Sequence, residues 1–169
     1  TLNSKLFRHR RSIVTGCLLL AIANTLTNYG VRPTIVKDRL EAPADFAYDR
    51  WNSFSRITVA ESYTGPAAMW GPSPRSPPPT IEQRWLTIDG SAGTSIYRFD
   101  GNLASVRFLR HDVSNLAYAI PKLKTGAVIG VGGGRDILSQ RLFGVEDVTG
   151  IEINPIIIDV LKHRFSDYT

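Results

Sequence analysis

Charge disappears from the chain between Arg11 and Arg32, where twenty residues, SIVTGCLLLAIANTLTNYGV, form its longest uncharged run. At about 1.5 Å per residue, a helix of that length spans roughly the 30 Å hydrocarbon core of a bilayer. The run from Ile13 to Ala23 is strongly apolar, whereas Asn24, Thr25, Thr27 and Asn28 make the second half costly to bury in lipid. The pattern therefore predicts an amino-terminal apolar helix and leaves three settings open: a membrane span, an ordinary packed helix, or a signal peptide with Ala21-Ile22-Ala23 before Asn24. Downstream, an aromatic and polar stretch holds Phe46, Tyr48, Trp51 and Phe54, and SRITVAE (Ser55 to Glu61) then alternates as a strand does. A proline-rich loop at 65–80 follows. RWLTID (Arg84 to Asp89), TSIYRF (Thr94 to Phe99) and ASVRFL (Ala104 to Leu109) read as short antiparallel strands joined by glycine-containing turns. Asp112 or Ser114 is placed to cap a short helix through Tyr118 that Pro121 ends.

The pattern changes at Gly126. Ala127 to Val131 is a continuous apolar run, Gly132-Gly133-Gly134 follows, and DILSQRLF (Asp136 to Phe143) sets Ile137, Leu138 and Leu142 at helical spacing. A second strand, DVTGIEI (Asp147 to Ile153), carries Glu152, and Pro155 opens another helix through Ile156, Val160 and Leu161 to Phe165. The expected fold is α/β: a small antiparallel β region, then the first βα units of a Rossmann-like domain. Three regions follow: a basic segment with an expected transmembrane helix at 1–31, a linker and antiparallel β region at 32–110, and the start of a nucleoside-binding domain at 111–169. Thr1 stands where a Met would open a full chain, and Phe165 to Thr169 barely finish the second βα unit, so the sequence reads as a fragment cut at both ends.

Composition removes several classes. With 169 residues, 43% of them hydrophobic, there is material for one ordinary core. Cys17 is the single cysteine and the three histidines stand at 9, 111 and 163, so neither a disulfide framework nor a metal site is indicated. The formal charge of +5 is concentrated in Lys5, Arg8, Arg10 and Arg11, which leaves the rest nearly neutral and argues against a nucleic-acid partner.

The candidate chemistry lies in the last third. Glycines let a backbone approach a ligand closely, the following helix offers free amides, and a carboxylate ending the second strand is placed to accept hydrogen bonds from both hydroxyls of a ribose. Glu152 lies twenty residues beyond Gly132, which suits that role. The dinucleotide pattern Gly-x-Gly-x-x-Gly is not met: from Gly130 its last position is Arg135, and from Gly132 it is Ile137, which disfavours NAD. The alternative is a tight turn that only packs helix on sheet. His111, Asp112 and Ser114 are too close in sequence to form a triad.

AVIGVGGGRDIL with VTGIEINP resembles motif I and the acidic strand of the class I S-adenosylmethionine-dependent methyltransferase fold. LTIDG at Leu86 to Gly90 is similar to the spermidine synthase (polyamine aminopropyltransferase) family, and WNSFSRI at Trp51 to Ile57 with GVGGGRD resembles its membrane-attached bacterial members. The resemblance implies a membrane-associated transferase using S-adenosylmethionine or its decarboxylated form, a small-molecule adenosyl ligand. It implies that Gly132, Gly133 and Gly134 form the nucleoside turn with Arg135 and Asp136 beside it, that Glu152 binds the ribose, and that Ile153 and Asn154 edge the adenine pocket. Phe54-Ser55 stand where the family has Tyr-Gln, Gly93 where it has Gln, and Arg135 where it has Asp. A guanidinium there would favour the carboxylate of intact S-adenosylmethionine over a tail ending in an ammonium, unless Arg135 turns outward or pairs with Asp136. The family's catalytic Asp would fall beyond Thr169, so no catalytic residue is named. A methyltransferase with an unknown acceptor and a non-catalytic nucleoside-binding membrane module remain as alternatives.

Overall fold

The computed structural model describes residues 9–26, 33–120 and 123–168. The chain divides into two units, Thr1–Glu41 and Ala42–Thr169. In the first, α1 (Arg10–Leu26) is a 17-residue helix none of whose residues is buried. It begins at the charged pair Arg10-Arg11, and the Thr25 hydroxyl, near its end, donates back to the Ala21 carbonyl (2.9 Å). Among the described residues, no helix is long and apolar enough to cross a membrane. Residues 12–26 of the helix expected over Ser12 to Val31 fall in α1, whose first turn carries charge and whose last turn carries polar residues. The rest of that run, 27–31, lies outside the described residues, as do Lys5, Arg8 and Pro121. A small hairpin of β1 (Ile35–Val36) and β2 (Arg39–Leu40) completes the unit.

The second unit is mixed α/β around an antiparallel sheet. Its strands are β3 (Phe46–Trp51), β4 (Arg56–Ala60), β5 (Tyr63–Pro66), β6 (Thr80–Ile88) and β7 (Ala92–Tyr97). The nine-residue β6 is the spine: β4 and β5 pair with it in succession along one side, and β7 pairs along the other from Gln83↔Tyr97 to Ile88↔Ala92. β3 pairs with β4 outside it. The aromatic stretch that gave no strand signal is thus a strand, because Phe46 and Trp51 flank the Arg56 guanidinium of β4 at 5.4 and 6.0 Å. Arg56 is 3% exposed and makes a two-point ion pair with Asp49 of β3 (2.9 and 2.8 Å). The expected loop at 65–80 is shorter at both ends, since Gly65↔Ile81 and Pro66↔Thr80 are sheet pairs. Proline is tolerated there because β5 is an edge strand.

Successive strand residues face opposite sides, so Ile96 and Tyr97 open two cores. Ile57, Val59, Leu86 and Ile96 pack with Ile157, Val160, Leu161 and Tyr168 from the C-terminal helices. Tyr97 packs with Ala67, Val106, Phe108, Leu109 and Leu142, meeting the Phe108 ring edge-on at 5.4 Å. The strand expected at Ala104 to Leu109 is instead a 3-10 helix, Leu103–His111. Asn102 caps it by accepting from the Ala104 amide (2.9 Å), and a three-residue turn buries Val106 and Leu109 on one side as well as a strand would. A second 3-10 helix, Val113–Ala119, is capped by Asp112 as expected.

Beyond it, β8 (Thr125–Ile129) and β9 (Asp147–Ile151) pair in parallel, from Thr125↔Asp147 to Ile129↔Ile151, with α2 (Arg135–Leu142) between them in sequence. Pro155 then opens α3 (Pro155–Asp159), which continues as a π-helical turn (Val160–Arg164).

Asp49→Ala removes the carboxylate from a guanidinium buried between two rings, and the expected loss is about 3 kcal/mol. Urea unfolding followed by circular dichroism measures it. A loss below about 1 kcal/mol would mean that the pair behaves as a solvated surface bridge.

Candidate functional site

The turn between β8 and α2 is built by close approach. A β-carbon on Gly133 would stand 2.1 Å from the Ser95 carbonyl oxygen of β7, so no other residue fits without moving the sheet. Gly134 has φ +81°, a left-handed conformation that L side chains rarely adopt, and space is open where its β-carbon would be. It is the N-cap of α2. Among the described residues the Gly133 and Arg135 amides donate to no hydrogen bond, whereas the Gly134 amide is bound to the Val131 carbonyl (3.0 Å).

Glu152 leaves the end of β9 and turns back over this bend. Its Oε2 accepts from the Gly132 amide (3.2 Å) and its Oε1 from the Asn154 amide (2.9 Å). Two backbone donors therefore hold the carboxylate in one orientation, one of them from the glycine turn itself. Beneath it opens a cavity of about 600 Å³ lined by Val131, Ile137, Leu138, Ile151, Ile158 and Leu161, with Gly133, Gly134, Gly150, Glu152 and Lys162 completing the wall. The volume suits a nucleoside-sized ligand.

Of the expected site residues, Gly133, Gly134 and Glu152 line this cavity, and Gly132 reaches it through its amide to Glu152. The remaining four are placed elsewhere. Arg135, 8% exposed, turns to the other side of the bend: its Nε and Nη2 bind Asp136 Oδ1 (3.1 and 2.9 Å), Nη1 lies 3.6 Å from Asp112 Oδ2, and the guanidinium sits 5.8 Å from the Trp70 ring centroid. Two carboxylates outcompete an open cavity for one cation, so of the two expected placements Arg135 takes the pairing with Asp136 and not the tail of a ligand. Asn154 is buried and caps α3 by accepting from the Ile156 amide (3.0 Å). Its side chain also accepts from Asn52 Nδ2 (2.7 Å) and donates to Ser55 Oγ (3.0 Å), which ties α3 to the β3–β4 turn and takes it away from an adenine edge. Ile153 is 76% exposed and does not line the cavity.

Asp112 anchors the far side. Burial pushes its carboxyl up, but the hydrogen bonds from the Ser114 hydroxyl and amide and the Trp70 amide, with the Arg135 guanidinium, outweigh burial and hold it below the usual aspartate range. Asp112 and Ser114 are joined (2.8 Å) as a cap.

The wall residues that the motif did not point to are Ile158, Leu161 and Lys162. Their i, i+3, i+4 spacing puts them on one helix face and was the available signal. No grouping of His, Cys, Asp and Glu suited to a metal ion occurs among the described residues. No family model, curated protein or solved structure matches the chain.

The two glycines separate packing from ligand access. Gly133→Ala is expected to destabilise the unit by about 2 kcal/mol or more through overpacking, and Gly134→Ala by about 1 kcal/mol through its backbone conformation alone. Thermal unfolding of the two variants checks the order. Equal stability of Gly133→Ala and the parent protein would show that the turn does not press on β7.

Proposed function

We propose that the Ala42–Thr169 unit is the cofactor-binding part of a membrane-associated spermidine synthase-like transferase, with S-adenosylmethionine or its decarboxylated form as ligand. The observation that carries this reading is the Glu152 carboxylate, fixed by the Gly132 and Asn154 amides above a nucleoside-sized cavity that begins at the glycine turn. A carboxylate oxygen that accepts one amide retains a second lone pair, so Glu152 can accept from vicinal ribose hydroxyls without giving up its backbone bonds. The apolar walls offer the base a surface that excludes water. Bound there, the cofactor supplies a carbon activated by a sulfonium for transfer to a nucleophile.

Arg135, held by Asp136 and approached by Asp112, no longer separates methyl from aminopropyl transfer. A binding role without turnover has one observation in its favour: among the described residues, Glu152 and Lys162 are the only ionisable side chains on the cavity wall, and neither a histidine nor a cysteine lines it. Membrane association is supported by α1, in which Leu18, Leu19, Leu20 and Leu26 are all more than half exposed. Co-flotation of the full chain with phospholipid vesicles is expected, and recovery with the unbound protein would reject it.

Calorimetric titration with S-adenosylmethionine, its decarboxylated form and methylthioadenosine tests the site. At least one is expected to bind, and Glu152→Gln is expected to weaken binding about ten- to a hundred-fold, as losing a charge-assisted pair of hydrogen bonds does. No heat from any of the three with folded protein would reject the proposal.

A further inference from the structure

Lys162 stands out among the cations of the C-terminal helices. Its neighbours His163 and Arg164 both bind Asp159, at 3.1 and 3.2 Å, and so occupy both oxygens of that carboxylate. Lys162 makes no ion pair among the described residues and lines the cavity wall together with Ile158 and Leu161. Arg135, the cation that the glycine motif places next to the cavity, is turned away from it and neutralised by carboxylates. Among the described residues the wall thus carries one carboxylate, Glu152, committed to two backbone amides, and one ammonium with no carboxylate partner.

We infer that Lys162 is a specificity residue: the cavity takes adenosyl ligands that carry an anionic group, which the ammonium of Lys162 pairs with while Glu152 holds the ribose. This rests on the nucleoside reading above and adds to it the charge of the ligand. An ammonium next to largely apolar walls gains more from an anion than it would in open water, because the walls displace solvent from between the charges. The same ammonium repels a ligand whose only charges are a sulfonium and an amine. A carboxylate on the amino-acid tail and a phosphate on the ribose 5′ oxygen, which leaves both vicinal hydroxyls free for Glu152, are both anions of this kind, and paired probes distinguish them.

The experiment compares four ligands on the full chain: S-adenosylmethionine against its decarboxylated form, and adenosine 5′-monophosphate against adenosine. The wild-type protein is expected to bind one anionic member at least tenfold more tightly than its partner, and the pair that shows the preference identifies carboxylate or phosphate. Lys162→Gln is expected to abolish that preference, with the affinity for neutral adenosine unchanged and that for the cationic decarboxylated form raised, and Lys162→Glu to invert it. The preference is also expected to shrink with added salt, as an exposed ammonium requires. Because Lys162 is exposed, both variants are expected to keep the parent thermal midpoint, and Lys162→Arg to retain the preference. Binding of the ligands with no preference in either pair, or a preference that survives Lys162→Gln, overturns the role of Lys162 and leaves the nucleoside site standing. Absence of binding by all four overturns both.

Discussion

The arrangement depends on one steric constraint: the backbone of the glycine turn lies against the backbone of β7, so close that a β-carbon on Gly133 would overlap the Ser95 carbonyl. This contact docks the parallel pair and its helices on the antiparallel sheet. Ile157 and Val160 then enter the core formed by Ile57, Leu86 and Ile96, and Asn154 bridges to Asn52 and Ser55 of the β3–β4 turn. The C-terminal end is fixed in the same way, with Tyr168 buried and its hydroxyl within hydrogen-bonding distance of the Glu82 carboxylate and the Ser62 hydroxyl. Glu152, between Gly132 and Asn154, inherits its orientation from both anchors.

The polar groups around the bend divide by side. Toward β7 and the 3-10 helices lie Arg135, Asp112, Asp136 and Ser114, a set linked by hydrogen bonds and ion pairs that fastens α2 against Trp70 and the capped helix at Val113–Ala119. On the cavity side Glu152 is held by backbone amides alone and Lys162 by no carboxylate among the described residues. Charge that holds the fold together and charge that remains accessible are thus on opposite faces of a three-residue turn. Motif position alone does not distinguish these faces, because Arg135 follows Gly134 directly.

The strands with clear alternation, β4, β6 and β7, and the succession of apolar strand, glycine turn, helix and acidic strand end were legible in the sequence because local pattern decides them. β3 was not, because what makes it a strand is Arg56, seven residues beyond Asp49 and placed between two rings only after the hairpin forms. The segment Ala104 to Leu109 misled because Val106 and Phe108 have strand spacing, while the deciding signal was the Asn102 cap. At the site, Gly133, Gly134 and Glu152 could be read from spacing. The directions of Arg135 and Asn154 could not, since their partners Asp112, Trp70, Asn52 and Ser55 are brought near by tertiary packing. Lys162 was visible as part of a helix face but gains meaning only once Asp159 is seen to be occupied by its neighbours.

The central claim is that a nucleoside is held between the glycine turn and the end of β9, and amide nuclear magnetic resonance tests it most directly. Titrating isotope-labelled protein with S-adenosylmethionine should give saturable shifts in the amides of Gly132 to Arg135 and of Asn154, with the amides of the β3–β4 turn unaffected. Saturable shifts confined to residues away from the glycine turn and Glu152 would contradict the account.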